Sequence, residues 1–187
     1  MIIQRSGLMH MLYPEIVVAG CGNPLFTDDG FGPAVIEELK KAFLPGNVKA
    51  VDAGTAGPDY VFSMLDPRET KKLIIIDIVD FGSAPGETTM IKFTDIPRKR
   101  IYDAEPGGIS ESLQLIKNYI EVIVIGCQPK NAVTLKMEIG LSQEVRKAIP
   151  RAVRMVFDLV GVDYSSSCKF FPIHSEIKQC DYCIAGL

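Results

Sequence analysis

The side chains best suited to chemistry in this chain are carboxylates. Asp28 and Asp29 stand in the glycine-rich stretch Gly20-Cys21-Gly22-Asn23-Pro24-Leu25-Phe26-Thr27-Asp28-Asp29-Gly30-Phe31-Gly32, and Asp77 closes the apolar run Ile74-Ile75-Ile76. The glycines look superficially like a dinucleotide turn. However, Leu25 replaces the third glycine of the G-x-G-x-x-G pattern, and two acids stand where a pyrophosphate would approach. Nucleotide binding is therefore disfavoured. Acids just ahead of a helix also have a structural use, because negative charge is favourable in a first turn and Asp is a good cap. That use accounts for one of the pair, and Asp29 is kept as the functional candidate.

Asp77 carries more information. A carboxylate near the end of so apolar a strand must be paired, hydrogen-bonded, protonated or bound to metal, since an unpaired buried charge costs several kcal/mol. The structural alternative is a hydrogen bond to the backbone of a neighbouring loop. If the glycine-rich loop and this strand are neighbours, Asp29 and Asp77 converge at one end of a sheet, with no basic residue in either motif to offset them. A divalent cation would resolve the conflict; without one, the pair would share a proton. No Ser-His-Asp arrangement is visible and no motif histidine stands beside a cysteine, which disfavours a covalent nucleophile. Cys21 and Cys127 are read as small buried residues. Gly22, Asn23, Gly30 and Gly32 are read as loop-shaping, and Gly54, Thr55 and Gly57 as a turn that could line a cleft.

Elements that would position these groups follow from periodicity. Residues 15–20, 48–51, 73–79 and 121–126 are apolar runs of strand length, and 87–93 alternates like an edge strand. Between them lie helical patterns: from Pro33 through Val35, Ile36, Leu39 and Phe43; over 60–65; from Ser110 through Leu113, Leu115, Ile116 and Tyr119; and from a Ser142 cap through Val145, Ile149, Val153, Val156 and Leu159, where Pro150 should kink the helix or start its second half. The fold class expected is a three-layer α/β sandwich around a mostly parallel, twisted sheet of about five strands with one antiparallel edge strand. Ligands are then expected at the carboxyl ends of the strands. Residues 1–160 form the α/β domain, and 161–187 a cysteine-containing tail.

Composition excludes several classes. The 187 residues are 47% hydrophobic and 23% charged, with a net charge of −3, which fits a globular domain and not a protein that neutralises many phosphates. No apolar stretch approaches the roughly 18 residues that suggest a membrane span. Neither nucleic acid nor membrane is expected as a partner. Residues 1–12 lack the ordered parts of an export signal. Five cysteines, Cys21, Cys127, Cys168, Cys180 and Cys183, fit a complete disulfide framework poorly, so a cytoplasmic location is expected. In the tail, Cys180 and Cys183 have the two-residue gap of zinc and redox sites, with Cys168 and His174 nearby. One such pair is a weak signal, and a tail whose thiols do nothing specific is the preferred reading.

Five segments in order carry a resemblance: Gly20 to Gly32; Asp52-Ala53-Gly54-Thr55-Ala56-Gly57; Ile75-Ile76-Asp77; Ile125-Gly126-Cys127-Gln128-Pro129; and Leu141-Ser142 followed by Pro150-Arg151-Ala152-Val153. Over about residues 15–160 the chain resembles the hydrogenase maturation endopeptidases. The resemblance implies an endopeptidase that removes the carboxy-terminal peptide of a nickel-iron hydrogenase large-subunit precursor once nickel has been inserted. Nickel would be supplied by that substrate, with no organic cofactor. By motif position the family's two acids fall on Asp29 and Asp77, as metal-engaging and catalytic groups. The family's histidine before the third helix has no counterpart: Glu105 stands in its register, Asp103 is a second candidate, and His10 and His174 lie outside the aligned region. A carboxylate there would make the site all-oxygen and less suited to nickel. The alternative expectation is a non-catalytic partner that senses nickel or holds the immature subunit.

Overall fold

The computed structural model describes residues 13–54, 57–95, 109–131 and 137–162. Its strands are β1 (Ile16–Cys21), β2 (Val48–Gly54), β3 (Lys72–Ile78), β4 (Thr88–Lys92) and β5 (Glu121–Cys127). Its helices are α1 (Phe31–Leu39), α2 (Gly57–Ser63), α3 (Ile109–Ile116) and α4 (Gln143–Val160), with 3-10 turns at Thr27–Gly30 and Phe93–Asp95. The five strands form one sheet in the order β2-β1-β3-β5-β4. β1 runs parallel to β2 and β3, and β3 parallel to β5; only β4 is antiparallel, on β5. This is the sandwich expected from the sequence.

The apolar runs of β1, β3 and β5 divide by parity, as strand geometry requires when both faces are covered. Val17, Ala19, Leu73, Ile75, Val122 and Val124 face one core, which also takes Val61 of α2 and Leu113 of α3. Val18, Ile74, Ile76, Ile78, Ile125 and Cys127 face the other, against α1 and α4. α1 presents Phe31, Val35, Ile36 and Leu39, and α4 presents Val145, Ala148, Ala152, Val153, Val156 and Phe157. Ser142 caps α4 by accepting from the N–H of Val145 at 3.4 Å, and Gly161 ends it in the left-handed region.

Several local expectations are corrected. α1 stops at Leu39 and tightens into 3-10 bonds from Lys41 to Glu38 and Ala42 to Leu39, so Phe43 leaves the apolar stripe and is 67% exposed. In α3 and the turn after it, Leu113, Ile116 and Ile120 make the inward stripe. Leu115 and Tyr119 fall on a second stripe and are exposed; the period of 3.6 residues separates the two sets. β2 continues past Val51 to Gly54. Pro150 does not start a second helix: α4 runs through it from Gln143 to Val160. No helix among the described residues is long and apolar enough to cross a membrane. Residues 1–12, Asp103, Glu105 and the tail from 163, with its cysteines and His174, lie outside the described residues.

Candidate active site

Loop one, residues 22–30, joins β1 to α1 at the carboxyl end of the sheet. Gly22 opens it at φ +113°, and a Cβ there would lie 1.9 Å from the backbone oxygen of Asp29, so only glycine is accommodated. The Asn23 side chain accepts from the N–H of Leu25 at 3.0 Å, and Phe26 N–H bonds back to Asn23 O. Thr27 holds φ +46°, a conformation costing a β-branched residue roughly 1–3 kcal/mol. The strain is held by burial and by a bond from its N–H to Glu138 O at 2.7 Å. At the start of α1, Gly32 sits so close to the sheet that a Cβ would be 2.3 Å from Cys21 O and 2.4 Å from Ile76 O. The helix therefore begins directly over β1 and β3, and Asp29 precedes that contact by three residues.

The two adjacent acids have different surroundings. Asp28 is wholly buried. Its Oδ2 accepts from the N–H groups of Lys130 and Asn131, both at 2.9 Å, and its Oδ1 from Ser142 N–H at 2.7 Å. It caps no helix of its own, since neither the 3-10 turn nor α1 has a side-chain cap; it fastens the β5–α4 connection to loop one. Asp29 is half-buried, and its Oδ2 accepts from Asn23 N–H at 2.7 Å. Burial raises its pKa from the ordinary carboxylate value, with the Asn23 hydrogen bond opposing. Its Oδ1 is 3.3 Å from the Cβ position of Gly22, one residue beyond the end of β1.

Asp77 lies at the same end of the sheet. β3 pairs with β1 up to Gly20 and Ile76, so Asp77 comes level with Cys21 on the neighbouring strand; on its other side it pairs with Gly126 of β5. It is 7% exposed, and its Oδ1 accepts from the N–H of Ile78 at 2.7 Å. Parity places it on the α2 and α3 face of the sheet, with Leu73 and Ile75. Thus Asp77 lies near the end of β3 and Asp29 in the 3-10 turn of the loop that follows the neighbouring strand β1, both at the carboxyl end of the sheet, where α/β sheets bind ligands. Among the described residues, no group of three His, Cys, Asp or Glu is placed to hold a metal ion. Two carboxylates offer oxygen donors suited to part of a divalent cation's shell, and the third candidate, Glu105, is outside the described residues.

Gln128 is a site-building residue that the sequence reading did not single out. Buried just after β5, its Oε1 accepts from the N–H groups of Phe81, Gly82 and Ser83 at 2.9, 3.0 and 3.2 Å, and its Nε2 donates to Asp80 Oδ1 at 3.2 Å. It thereby shapes the loop that follows Asp77. The available signal was a polar residue directly after a buried strand, in Ile125-Gly126-Cys127-Gln128. Near Asp28, burial and then that carboxylate's charge push the Cys127 thiol up to about 12. Thiolate chemistry is closed to it. Gly54 donates its N–H to Asp52 Oδ1 at 2.9 Å and closes a turn; Thr55 lies outside the described residues and Gly57 begins α2.

Comparison with known proteins bears on the family and the fold. The family model of hydrogenase maturation proteases of the HycI type matches residues 33–159. Coenzyme F420 hydrogenase subunit delta of Methanothermobacter thermautotrophicus is 45% identical over 152 residues, covering 79% of this chain and 96% of that protein. Among solved structures, the hydrogenase maturating endopeptidase HybD from Escherichia coli superposes with a TM-score of 0.64 at 25% identity, over 82% of this chain and 99% of that one. The hydrogenase 2 maturation peptidase from a Thaumarchaeota archaeon gives 0.57 at 31% identity, over 80% and 99%.

Proposed function

The chain belongs to the hydrogenase maturation protease family, and from that premise we propose that it removes the carboxy-terminal peptide of a nickel-iron hydrogenase large-subunit precursor once nickel is in place. The relative named as an F420 hydrogenase subunit favours the large subunit of an F420-reducing hydrogenase as the substrate. Asp29 and Asp77 are the groups assigned to the chemistry. The observation that supports the assignment is that Asp77 near the end of β3 and Asp29 in the loop after neighbouring β1 share the carboxyl end of the sheet, with Asp28 already committed to three backbone N–H groups. Of the two loop acids, only Asp29 is left to act on a substrate.

In this reading the precursor brings the metal, and Asp29 and Asp77 engage it, assisted by Glu105. Docking the nickel fixes the scissile amide beside the carboxylates and removes much of the entropic cost of the encounter. Water, activated either by the metal as Lewis acid or by an ionised carboxylate as general base, would add to the carbonyl; the C–N bond then breaks and the released peptide's amine leaves with the proton taken from that water. The high pKa of the buried Cys127 thiol supports hydrolysis without a covalent cysteine intermediate.

The test is turnover. A sub-stoichiometric amount of the protein, mixed with nickel-loaded or nickel-free precursor, is followed by intact mass. Shortening of many equivalents of the nickel-loaded form alone is expected, and its loss in Asp29→Ala and Asp77→Ala. Normal cleavage by either variant overturns the site assignment. One-to-one binding without shortening overturns the enzyme reading in favour of a chaperone.

A further inference from the structure

Residues 137–141 run beside loop one. Thr27 N–H donates to Glu138 O at 2.7 Å, and Glu138 N–H to Leu25 O at 3.0 Å; together they make an isolated parallel bridge between Phe26 and Glu138. In a strand, a residue that bonds to one side has neighbours whose N–H and C=O groups point to the other. Glu138 is turned to loop one, so Met137 and Ile139 turn their backbone groups away from it. Their side chains are exposed, 62% and 81%, and Leu25 across the bridge is 42% exposed. Proteins normally protect an open edge bearing apolar side chains, or reserve it for a partner strand.

A cleft of about 230 Å³ adjoins this edge, between loop one, the first turns of α1 and residues 139–141. Among the described residues its charged lining groups are Glu37 and Asp52, with no Lys or Arg among them. The cleft thus offers negative charge with apolar walls, next to the extended segment bridged at Glu138. Phe26, the bridged residue, accepts from the N–H of Asp29 at 3.1 Å, so the edge and the candidate catalytic acid share one turn of chain.

We infer that residues 137–139 are the docking edge for the substrate's extended tail. The carboxy-terminal segment of the precursor adds to it as a short strand, lays apolar side chains against Leu25, Met137 and Ile139, and extends a basic side chain toward Glu37 and Asp52. Backbone pairing supplies affinity and the cleft supplies selectivity. At about 3.3 Å per residue, a peptide held there reaches the Asp29 turn within a few residues. The inference rests on the proposed endopeptidase reading.

Its test uses the full chain with nickel-loaded precursor, intact or lacking the carboxy-terminal extension. Ile139→Pro removes an outward N–H from an exposed position, and Ile139→Asp keeps the N–H but reverses the side chain's character. Both are expected to raise KM at least tenfold with kcat within twofold. Glu37→Gln with Asp52→Asn is expected to raise KM at low salt, with an effect that shrinks as salt is added. In binding measurements, wild type is expected to lose affinity when the extension is removed, whereas Ile139→Pro binds both precursors alike. Unchanged KM in both Ile139 variants overturns the inference. So does a variant whose only change is a shift from dimer to monomer, because the edge would then pair with a second copy. If wild type binds without shortening the precursor, the protease reading falls, and the binding comparison alone decides the edge.

Discussion

Asp28 and Asp29 are adjacent in sequence, but Asp28 accepts from Lys130, Asn131 and Ser142 whereas Asp29 accepts from Asn23 within its own loop. One carboxylate is structural glue and the other sits beside the end of Asp77's strand. Alanine at the two positions should therefore separate stability from activity. Asp28→Ala strands three backbone donors and should cost about 3–5 kcal/mol, read as a lower urea midpoint. Asp29→Ala should leave the unfolding free energy within about 1 kcal/mol of wild type and abolish precursor processing. Equal destabilisation by both variants would contradict the division.

The raised pKa of Asp29 gives a signed pH dependence. Burial disfavours its ionised form in the folded protein, so the folded chain keeps a proton that the unfolded chain releases in the ordinary carboxylate range. This contribution to stability is fully present below that range and is lost as pH rises through the higher folded value. Asp29→Asn keeps an acceptor for Asn23 N–H and carries no charge. The metal-free variant should be more stable than wild type at neutral pH, with the gap closing toward acid pH, while processing is lost. Denaturant midpoints across pH check it; a gap that opens toward acid pH would have the wrong sign.

Gln128 holds the loop after β3 through a single side-chain oxygen shared by three N–H groups. Gln128→Ala should cost about 2–4 kcal/mol, since those partly buried donors lose their acceptor. Amide exchange at Phe81, Gly82 and Ser83 should accelerate, while β1 and α1 stay protected. Exchange in those three amides that matches wild type would show that another group holds the loop.

Cys127 should be chemically silent. With its thiol at about 12, the thiolate is about one part in ten thousand at pH 8. Alkylating reagents should label it only when the protein unfolds, and Cys127→Ala should process precursor at a rate close to wild type. Rapid labelling of native Cys127, accompanied by inactivation, would point instead to a thiol mechanism.

Sequence alone determined the architecture and nominated Asp29 and Asp77, but it did not show how the surroundings of Asp28 and Asp29 differ. Strand and helix identity is written in spacings of two and 3.6 residues, and the doubly buried runs at Leu73–Ile78 and Val122–Ile125 already demanded helices on both faces. The apolar run Ile74-Ile75-Ile76 put Asp77 at a strand end, and the resemblance placed the family's two acids on Asp29 and Asp77. What it could not encode locally were partners separated by 102, 103 and 114 positions from Asp28, or the 46 to 48 residues between Gln128 and most of the loop it holds. The same reason hid the outward stripe of Leu115 and Tyr119 and the early end of α1. Apolar spacing states that residues share a face, whereas packing decides which face is covered. The bridge between Phe26 and Glu138 is likewise a tertiary decision, because one pair of hydrogen bonds leaves no periodic trace and forms only when the segment before α4 and loop one are brought together by the folded sheet.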